Sequence, residues 1–313
     1  WLLKTGLRLL NISGKKNKFF VLYYLEKETK IDENLLYIPR WNFIKIIKTI
    51  FQIDTVVSIG GLFQDKTSIL SLIYYLLILF FAKAFNKKVF VLNTEFDIKK
   101  LPKSFVILLL TFFADTIFVR NKFDTKNSKK IKFCPDICLY DFDEEKIFES
   151  KKIIQKVGIV VKQTSNFVLL SEMCEVLSKQ YKIVFLPFHI KEDYPFCLKL
   201  CEKLSNCEIR VWDKIENYKN IFADIDIIIT SRLHGIILAS VLCKPFICVS
   251  EEEKVKKMLT TMFGVETTSL FLWRQKNFCI TEEDIFYPQI KKVIEYKTLL
   301  VKRFYEVVQQ IVV

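Results

Sequence analysis

Short β-branched runs alternate with longer helix-like stretches along most of this sequence, in two successive blocks. No other feature restricts the fold as strongly. In the first block, residues 56–59 form a β-rich run closed by Gly60-Gly61, and residues 67–85 form an apolar stretch of helical length. A buried-strand pattern (KVFVL, residues 88–92) comes next, then a second apolar helix over 104–114 and a strand over 116–119. Residues 19–24 and 36–38 read as earlier strands or edges. The chain turns polar over 141–152 (DFDEEKIFESKK), the best linker in the sequence. The second block runs strand 156–161, helix 166–179 with Thr164 or Ser165 as N-cap, strand 182–186, helix 194–204 and strand 208–211. It continues with helix 215–222, strand 226–230, helix 233–242 and strand 246–249, and the tail from 282 to 313 reads as mostly helical.

Strands that alternate with helices lie parallel and are joined by right-handed crossovers. The sequence therefore predicts an α/β fold of two Rossmann-like lobes, each a parallel sheet with flanking helices. The expected division is 1–150, 151–285 and a C-terminal helix, 286–313, that packs back on the first domain. A chain of 313 residues has the size at which one core gives way to two. It opens on Trp1 without an initiator Met, inside a helix-like stretch, WLLKTGLRLL. A fragment or processed product is expected.

Composition excludes several classes. With 51% hydrophobic residues the chain is not a disordered one. Its longest uncharged run, 67–82, is shorter than the ~20 apolar residues a membrane span needs. The net charge of +13 comes from lysine far more than from the seven arginines, and the lysines are scattered rather than gathered in a stripe. That is a solvated basic surface, suited to an anionic membrane surface or substrate, and no nucleic-acid partner is expected. Nine cysteines lie in apolar or helical segments without a Cys-x-x-Cys, and there are only two histidines. Reduced buried thiols in a cytosolic protein, and no metal or cofactor, are the expectation.

Ligands of parallel sheets sit at the carboxyl ends of strands, so chemistry is sought just after each one. The run DIIITSRLHG places Ser231, Arg232, Leu233 and His234 at a strand end and the mouth of the next helix. A guanidinium there can hold a carboxylate or phosphate, and an imidazole can carry a proton. The alternative is that Arg232 pairs with a core carboxylate and His234 caps the helix. His189 lies at another strand end, and Lys162 comes after the strand VGIVV. In the first block, Gly60 and Gly61 allow close backbone approach, Gln64 and Asp65 present polar groups, and Arg120 and Asp136 occupy later strand-end or loop positions. The alternative for the glycine segment is a tight turn between strand and helix with Asp65 as a helix cap.

The segment TSRLHGIILASVLCKPFICVSEEEKVKKML resembles the C-terminal signature of the polysaccharide pyruvyl transferase family. SIGGLFQDKTSILSLIYYL, ADTIFVRNKFD, FCPDICL and VFLPFHIKEDY resemble its other blocks, in the same order. The nearest branch resembles bacterial enzymes that modify cell-wall polysaccharide for S-layer anchoring. The resemblance implies a GT-B-like fold and transfer of a pyruvyl group from phosphoenolpyruvate to a sugar, with a cyclic ketal formed and phosphate released. It implies Lys162, Ser231, Arg232, Leu233 and His189 around the donor, His234 as acid and Arg232 as anchor. It also implies Gly60, Gly61, Gln64, Asp65 and Arg120 on the acceptor side, with Asp65 a candidate base. Phosphoenolpyruvate is then a co-substrate. The acceptor is a sugar of a cell-surface polysaccharide or its lipid-linked precursor, and the protein is cytoplasmic with peripheral contact at the inner membrane leaflet. The chain departs from the family pattern at its start, where the resemblance implies an N-terminal strand and glycine loop that are missing here, at NTEFDIK (93–99), where the family carries a glycine-rich turn, and at Lys162, where it carries arginine. Two other readings compete: a GT-B glycosyltransferase using a nucleotide sugar, and a degenerate, non-catalytic family member.

Overall fold

The computed structural model describes residues 2–11, 18–23, 29–32, 34–65, 68–143, 153–163, 166–211, 217–265 and 270–311. The chain divides into two compact units, one comprising Trp1–Tyr140 with Thr298–Val313 and the other Asp141–Lys297.

The first unit contains α1 (Leu2–Leu10), β1 (Phe19–Tyr23), β2 (Thr29–Asp32), β3 (Leu35–Pro39), α2 (Phe43–Gln52) and β4 (Thr55–Ile59). It continues with α3 (Ile69–Ala84), β5 (Lys88–Thr94), α4 (Lys103–Phe113), β6 (Thr116–Val119) and β7 (Ile131–Phe133). Strands β4-β5-β6-β7 form one wholly parallel sheet in that order. Strands β1-β3-β2 form a separate sheet in which β1 and β3 are parallel but β2 runs antiparallel to β3, a departure from the all-parallel expectation. The β2–β3 connection is too short for a crossover, so the chain can only turn back on itself. A cavity of about 790 Å³ lies between the two sheets, lined by β1, β4 and residues of α1, α2 and α3.

Each helix of this unit starts where its local chemistry allows. Asn42 caps α2 by accepting from Lys45 N–H, and Ser68 caps α3 by accepting from Ser71 N–H. Valine and isoleucine alternate along the strands, so Val89, Val91, Ile117 and Val119 form one sheet face. Ile46 and Ile50 of α2, Leu72, Ile78 and Leu79 of α3, and Val106 and Leu110 of α4 cover it.

The second unit contains β8 (Lys156–Val160), α5 (Phe167–Leu177), β9 (Lys182–Phe185), α6 (Ile190–Cys201), β10 (Cys207–Ile209) and α7 (Tyr218–Phe222). It goes on with β11 (Ile227–Thr230), α8 (Leu233–Val241), β12 (Phe246–Cys248), α9 (Glu253–Phe263) and α10 (Leu270–Gln275). The last element, α11 (Ile290–Ile311), is divided: its residues up to Lys297 belong to this unit and those from Thr298 to the first. The strand order β10-β9-β8-β11-β12 is parallel throughout. The winding reverses at β8. The chain moves outward through β9 and β10, then returns to place β11 on the other side. A doubly wound sheet opens its ligand crevice at that reversal, above the carboxyl ends of β8 and β11.

Three local expectations change. The cap of α5 is Asn166, which accepts from Leu169 N–H, while Thr164 and Ser165 lie outside the described residues. Helix α6 begins at Ile190 rather than 194, because the Asp193 side chain turns back to accept from His189 N–H (2.9 Å) and holds the first turn. The cysteines are not all reduced thiols. The turn between α6 and β10 brings Cys201 and Cys207 to a Cα separation of 5.9 Å, where they form a disulfide. Cys134, Cys138, Cys174, Cys197 and Cys248 are buried and form no disulfide. Of the proposed linker, residues 144–152 lie outside the described residues, as do 215 and 216 of the expected helix over 215–222.

Candidate active site

The carboxyl edge of the second unit's sheet collects the donor residues expected from sequence. Thr230 ends β11 and organises the entry into α8. Its Oγ1 donates to Val160 O (2.9 Å) at the end of β8 and accepts from Arg232 N–H (3.0 Å). Ser231 N–H donates to the same Val160 carbonyl (3.2 Å). The chain is thus stitched across the winding reversal before α8 begins. Arg232 is the N-cap residue of α8 by position, Leu233 and His234 its first two residues. The positive end of the α8 dipole therefore faces the carboxyl edge. Gly235 permits this tight entry. A Cβ built there would stand 2.2 Å from Thr230 Oγ1 and 3.2 Å from Val160 Cγ1, so only glycine lets α8 press onto β11.

Arg232 realises one side of the alternative left open by the sequence: it does pair with a core carboxylate. Its Nη2 donates to Oδ1 of Asp193, a residue with no exposed surface. Its Nε donates to Val161 O (3.3 Å) beyond β8. Its Nη1 makes no hydrogen bond to any described residue. Asp193 divides its carboxylate between Arg232 and the backbone of His189, so one buried acid couples the ends of β9 and β11. The role of a carboxylate at this position was not read from the sequence. Its signal was the acid four residues after His189, at a helix start.

Lys162, directly past β8, is half-buried and forms an ion pair with Glu252, at the end of the loop leaving β12. Burial lowers the lysine from its ordinary value, while Glu252 works in the opposite sense. His189 is exposed, His234 half-buried and Ser231 buried. Ser231, Arg232, Leu233 and His234 are thus brought to the α8 entrance. Arg232 bonds to the residue preceding Lys162 and, through Asp193, shares a carboxylate with the His189 backbone.

The first unit assembles its own edge. Gly60, with φ of +96°, takes a conformation open to glycine, and its N–H donates to Leu92 O (2.9 Å). Gly61 faces Arg120, with its built Cβ 3.8 Å from Nη2, so the Arg120 side chain after β6 reaches past β5 to the turn after β4. Arg120 is buried between two carboxylates, Glu95 Oε2 and Asp136 Oδ2, each at 3.2 Å. Glu95 belongs to the NTEFDIK stretch, and its part here was missed in the sequence. Gln64 is half-buried beside Asp65 in the chain.

Asp65 takes a part different from the expected one. It is fully buried, and its two oxygens accept from Lys99, Lys100 and Leu101 N–H at 2.6–2.7 Å. Burial alone would raise the carboxyl, but these three amides outweigh it and hold it below its ordinary value. A carboxylate so held is a poor proton acceptor. Its evident work is to fix the turn that enters α4.

Solved structures of low sequence identity share this fold. The UDP-GlcNAc 2-epimerase of Methanocaldococcus jannaschii is 13% identical with a TM-score of 0.58, covering 96% of each chain. S. aureus MnaA in its UDP co-structure is 13% identical with a TM-score of 0.54, over 84% of this chain and 77% of that one. AviGT4, a glycosyltransferase of avilamycin A biosynthesis, is 9% identical with a TM-score of 0.50, over 99% and 88%. At such identity they establish the architecture, two Rossmann-like lobes of the GT-B kind, and nothing of the substrate. No curated protein matches the chain in sequence. The family pattern of the polysaccharide pyruvyl transferases matches residues 2–253, far more than half of the length, and the chain belongs to that family.

Proposed function

We propose that this polysaccharide pyruvyl transferase takes its pyruvyl group from phosphoenolpyruvate. The acceptor is a hydroxyl pair on a sugar of a lipid-linked polysaccharide precursor, at the inner membrane face. One observation carries the donor assignment. At the winding reversal of the second unit, Arg232 is held by buried Asp193 with Nη1 left over, beside the α8 entrance. Phosphoenolpyruvate bears a carboxylate and a phosphate, and a preset guanidinium with a helix N-terminus matches two anionic groups. Lys162 supplies a second cation, shared with Glu252.

That placement supports the following chemistry. His234 gives a proton to the methylene carbon of phosphoenolpyruvate, which becomes the methyl group, and C2 takes on oxocarbenium character. A sugar hydroxyl adds to C2, and its proton restores the imidazole. A second hydroxyl then attacks C2, the C–O bond to phosphate breaks, and the second hydroxyl proton leaves with inorganic phosphate. Asp65 is a structural clamp in this reading. Gly60, Gly61, Gln64 and Arg120 belong to the acceptor side, and Arg120, neutralised by two carboxylates, favours an uncharged sugar.

Calorimetry with phosphoenolpyruvate tests the donor assignment. Arg232→Ala should weaken binding about tenfold or more, since hydrogen bonds to charged groups contribute ~1.5–3 kcal/mol. His234→Ala should keep most of the affinity and lose phosphate release in the presence of acceptor. A parent protein that ignores phosphoenolpyruvate and binds a nucleotide sugar overturns the donor assignment. One that binds neither favours a degenerate family member.

A further inference from the structure

Helices α2, α3 and α4 lie side by side on one face of the β4–β7 sheet, with α3 in the middle. Phe43 meets Phe81 at 5.7 Å and Phe51 stacks on Phe85 at 4.0 Å between α2 and the α3 end, while Phe80 meets Phe113 at 5.9 Å between α3 and α4. Their inner sides fill the core already described. A surface helix ordinarily turns a polar side outward. These three do not. On α3, Leu70, Ile73, Leu77 and Phe80 recur at helical spacing and are all exposed, Leu70 by 77%. On α4, Phe105, Leu108 and Phe112 do the same, Phe112 by 71%. On α2, Ile44 and Phe51 are exposed, with Trp41 just before the helix.

The charge on this face has one sign. None of the three helices contains Asp or Glu; Lys45 and Lys48 lie on α2, while Lys83 of α3 and Lys103 of α4 are paired with Asp115 and Asp124 from outside the helices. Lys48 is exposed between Ile44 and Phe51, and exposed Lys99 and Lys100 precede α4. The Arg40 guanidinium lies 4.8 Å from the Trp41 ring centroid, so a cation and an indole sit together at the edge of the apolar area. No described helix is long and apolar enough to cross a membrane. At 16 residues, α3 is about 24 Å long, less than the ~30 Å hydrocarbon core.

We infer that the outward face of α2–α4 docks on an anionic lipid bilayer, with its leucines and phenylalanines at the headgroup–acyl boundary and its lysines among the headgroups. Apolar insertion combined with basic charge is the pairing that gives stable but reversible interfacial binding. A second copy of the same chain fits the face less well, because it would set lysine against lysine in a molecule of net charge +13. The inference deepens the lipid-linked acceptor reading by naming the surface that meets the lipid, and it is tested without any turnover.

The experiment is cosedimentation of the full chain with neutral phosphatidylcholine vesicles and with vesicles that also carry phosphatidylglycerol. Sedimentation velocity without lipid runs alongside. The parent should pellet with the anionic vesicles and be released by added salt. Lys48→Gln should weaken binding by about fivefold, the worth of one lysine near such a surface. The combined variant Ile44→Gln, Leu70→Gln, Leu108→Gln, Phe112→Gln changes four outward side chains and should abolish binding while its circular dichroism melt stays that of the parent. That variant should also bind phosphoenolpyruvate as the parent does, which separates failure of docking from failure of the donor reading. Absence of parent binding to anionic vesicles overturns the inference. So does unchanged binding by the folded variant, or a lipid-free dimer that the variant dissolves.

Discussion

Replacing Gly235 by alanine tests whether the entrance of α8 is set by contact with β11. The added Cβ would lie 2.2 Å from Thr230 Oγ1 and 3.0 Å from Thr230 Cβ, against 3.4 Å for the near limit of ordinary contact. Something must therefore move by more than an ångström. Thr230 is a stiff β-branched residue, and rotating Oγ1 away breaks its bonds to Val160 O and Arg232 N–H. Each such bond contributes about 0.5–1.5 kcal/mol net, and overpacking a closed site costs about 1–3 kcal/mol. Alanine returns about 1 kcal/mol of helix propensity. The net expectation is a loss of about 1–3 kcal/mol, read as a lower urea midpoint at unchanged slope. Because the entrance carries Arg232 and His234, affinity for phosphoenolpyruvate should fall with it. A Thr230→Ala background removes the nearest atom, so Gly235→Ala should cost about 1 kcal/mol less there. Parent-like stability for Gly235→Ala, or strictly additive losses in the cycle, would refute the reasoning.

Three further outcomes are expected. Asp193→Asn leaves the largely buried Arg232 without its counter-charge, and loss of one partner of a buried pair costs about 3–5 kcal/mol; urea unfolding measures it, and a loss under ~1 kcal/mol would show that the pair is not needed. Asp65 has a lowered folded-state value, so the stability it contributes is complete above its unfolded value of ~3.9 and is lost as pH falls through the lower folded value. Asp65→Asn should therefore destabilise the parent at neutral pH and flatten the acid limb of its stability curve; an unchanged acid limb contradicts the clamp. Finally, a maleimide should label exposed Cys279 first and half-buried Cys243, pushed up to about 11 by burial, more slowly, while Cys197, pushed up to about 12 by burial and nearby Asp193, reacts only on unfolding. Fast labelling of Cys197 in the folded protein contradicts its burial.

Much of the architecture was legible because period and length carry it. The strand Thr116–Val119 emerged with its sequence-derived bounds, and α8 and β12 within one residue, since each is a short apolar run between clear breaks. The start of α6 was not legible, because it depends on a side chain returning to the His189 backbone rather than on periodicity. Helix α2 escaped notice, as did β7, only three residues long. The choice between the two readings of Asp65 was not legible for a related reason. A carboxylate after a glycine turn looks the same in sequence whether it faces a ligand or three backbone amides supplied 34 to 36 residues later.

The sequence by itself determined most of the elements, the parallel winding of the two main sheets and the arginine–histidine pair at a strand end. Those come from apolar spacing, from the handedness of crossovers and from residue type, all of which are local. Tertiary structure alone decided which charges neutralise one another. Asp193 was joined to Arg232, Glu252 to Lys162, and Glu95 and Asp136 to Arg120. It also decided which apolar residues lie outward on α2–α4. Ion pairing and burial depend on distances between residues far apart in the chain, and no local pattern encodes them.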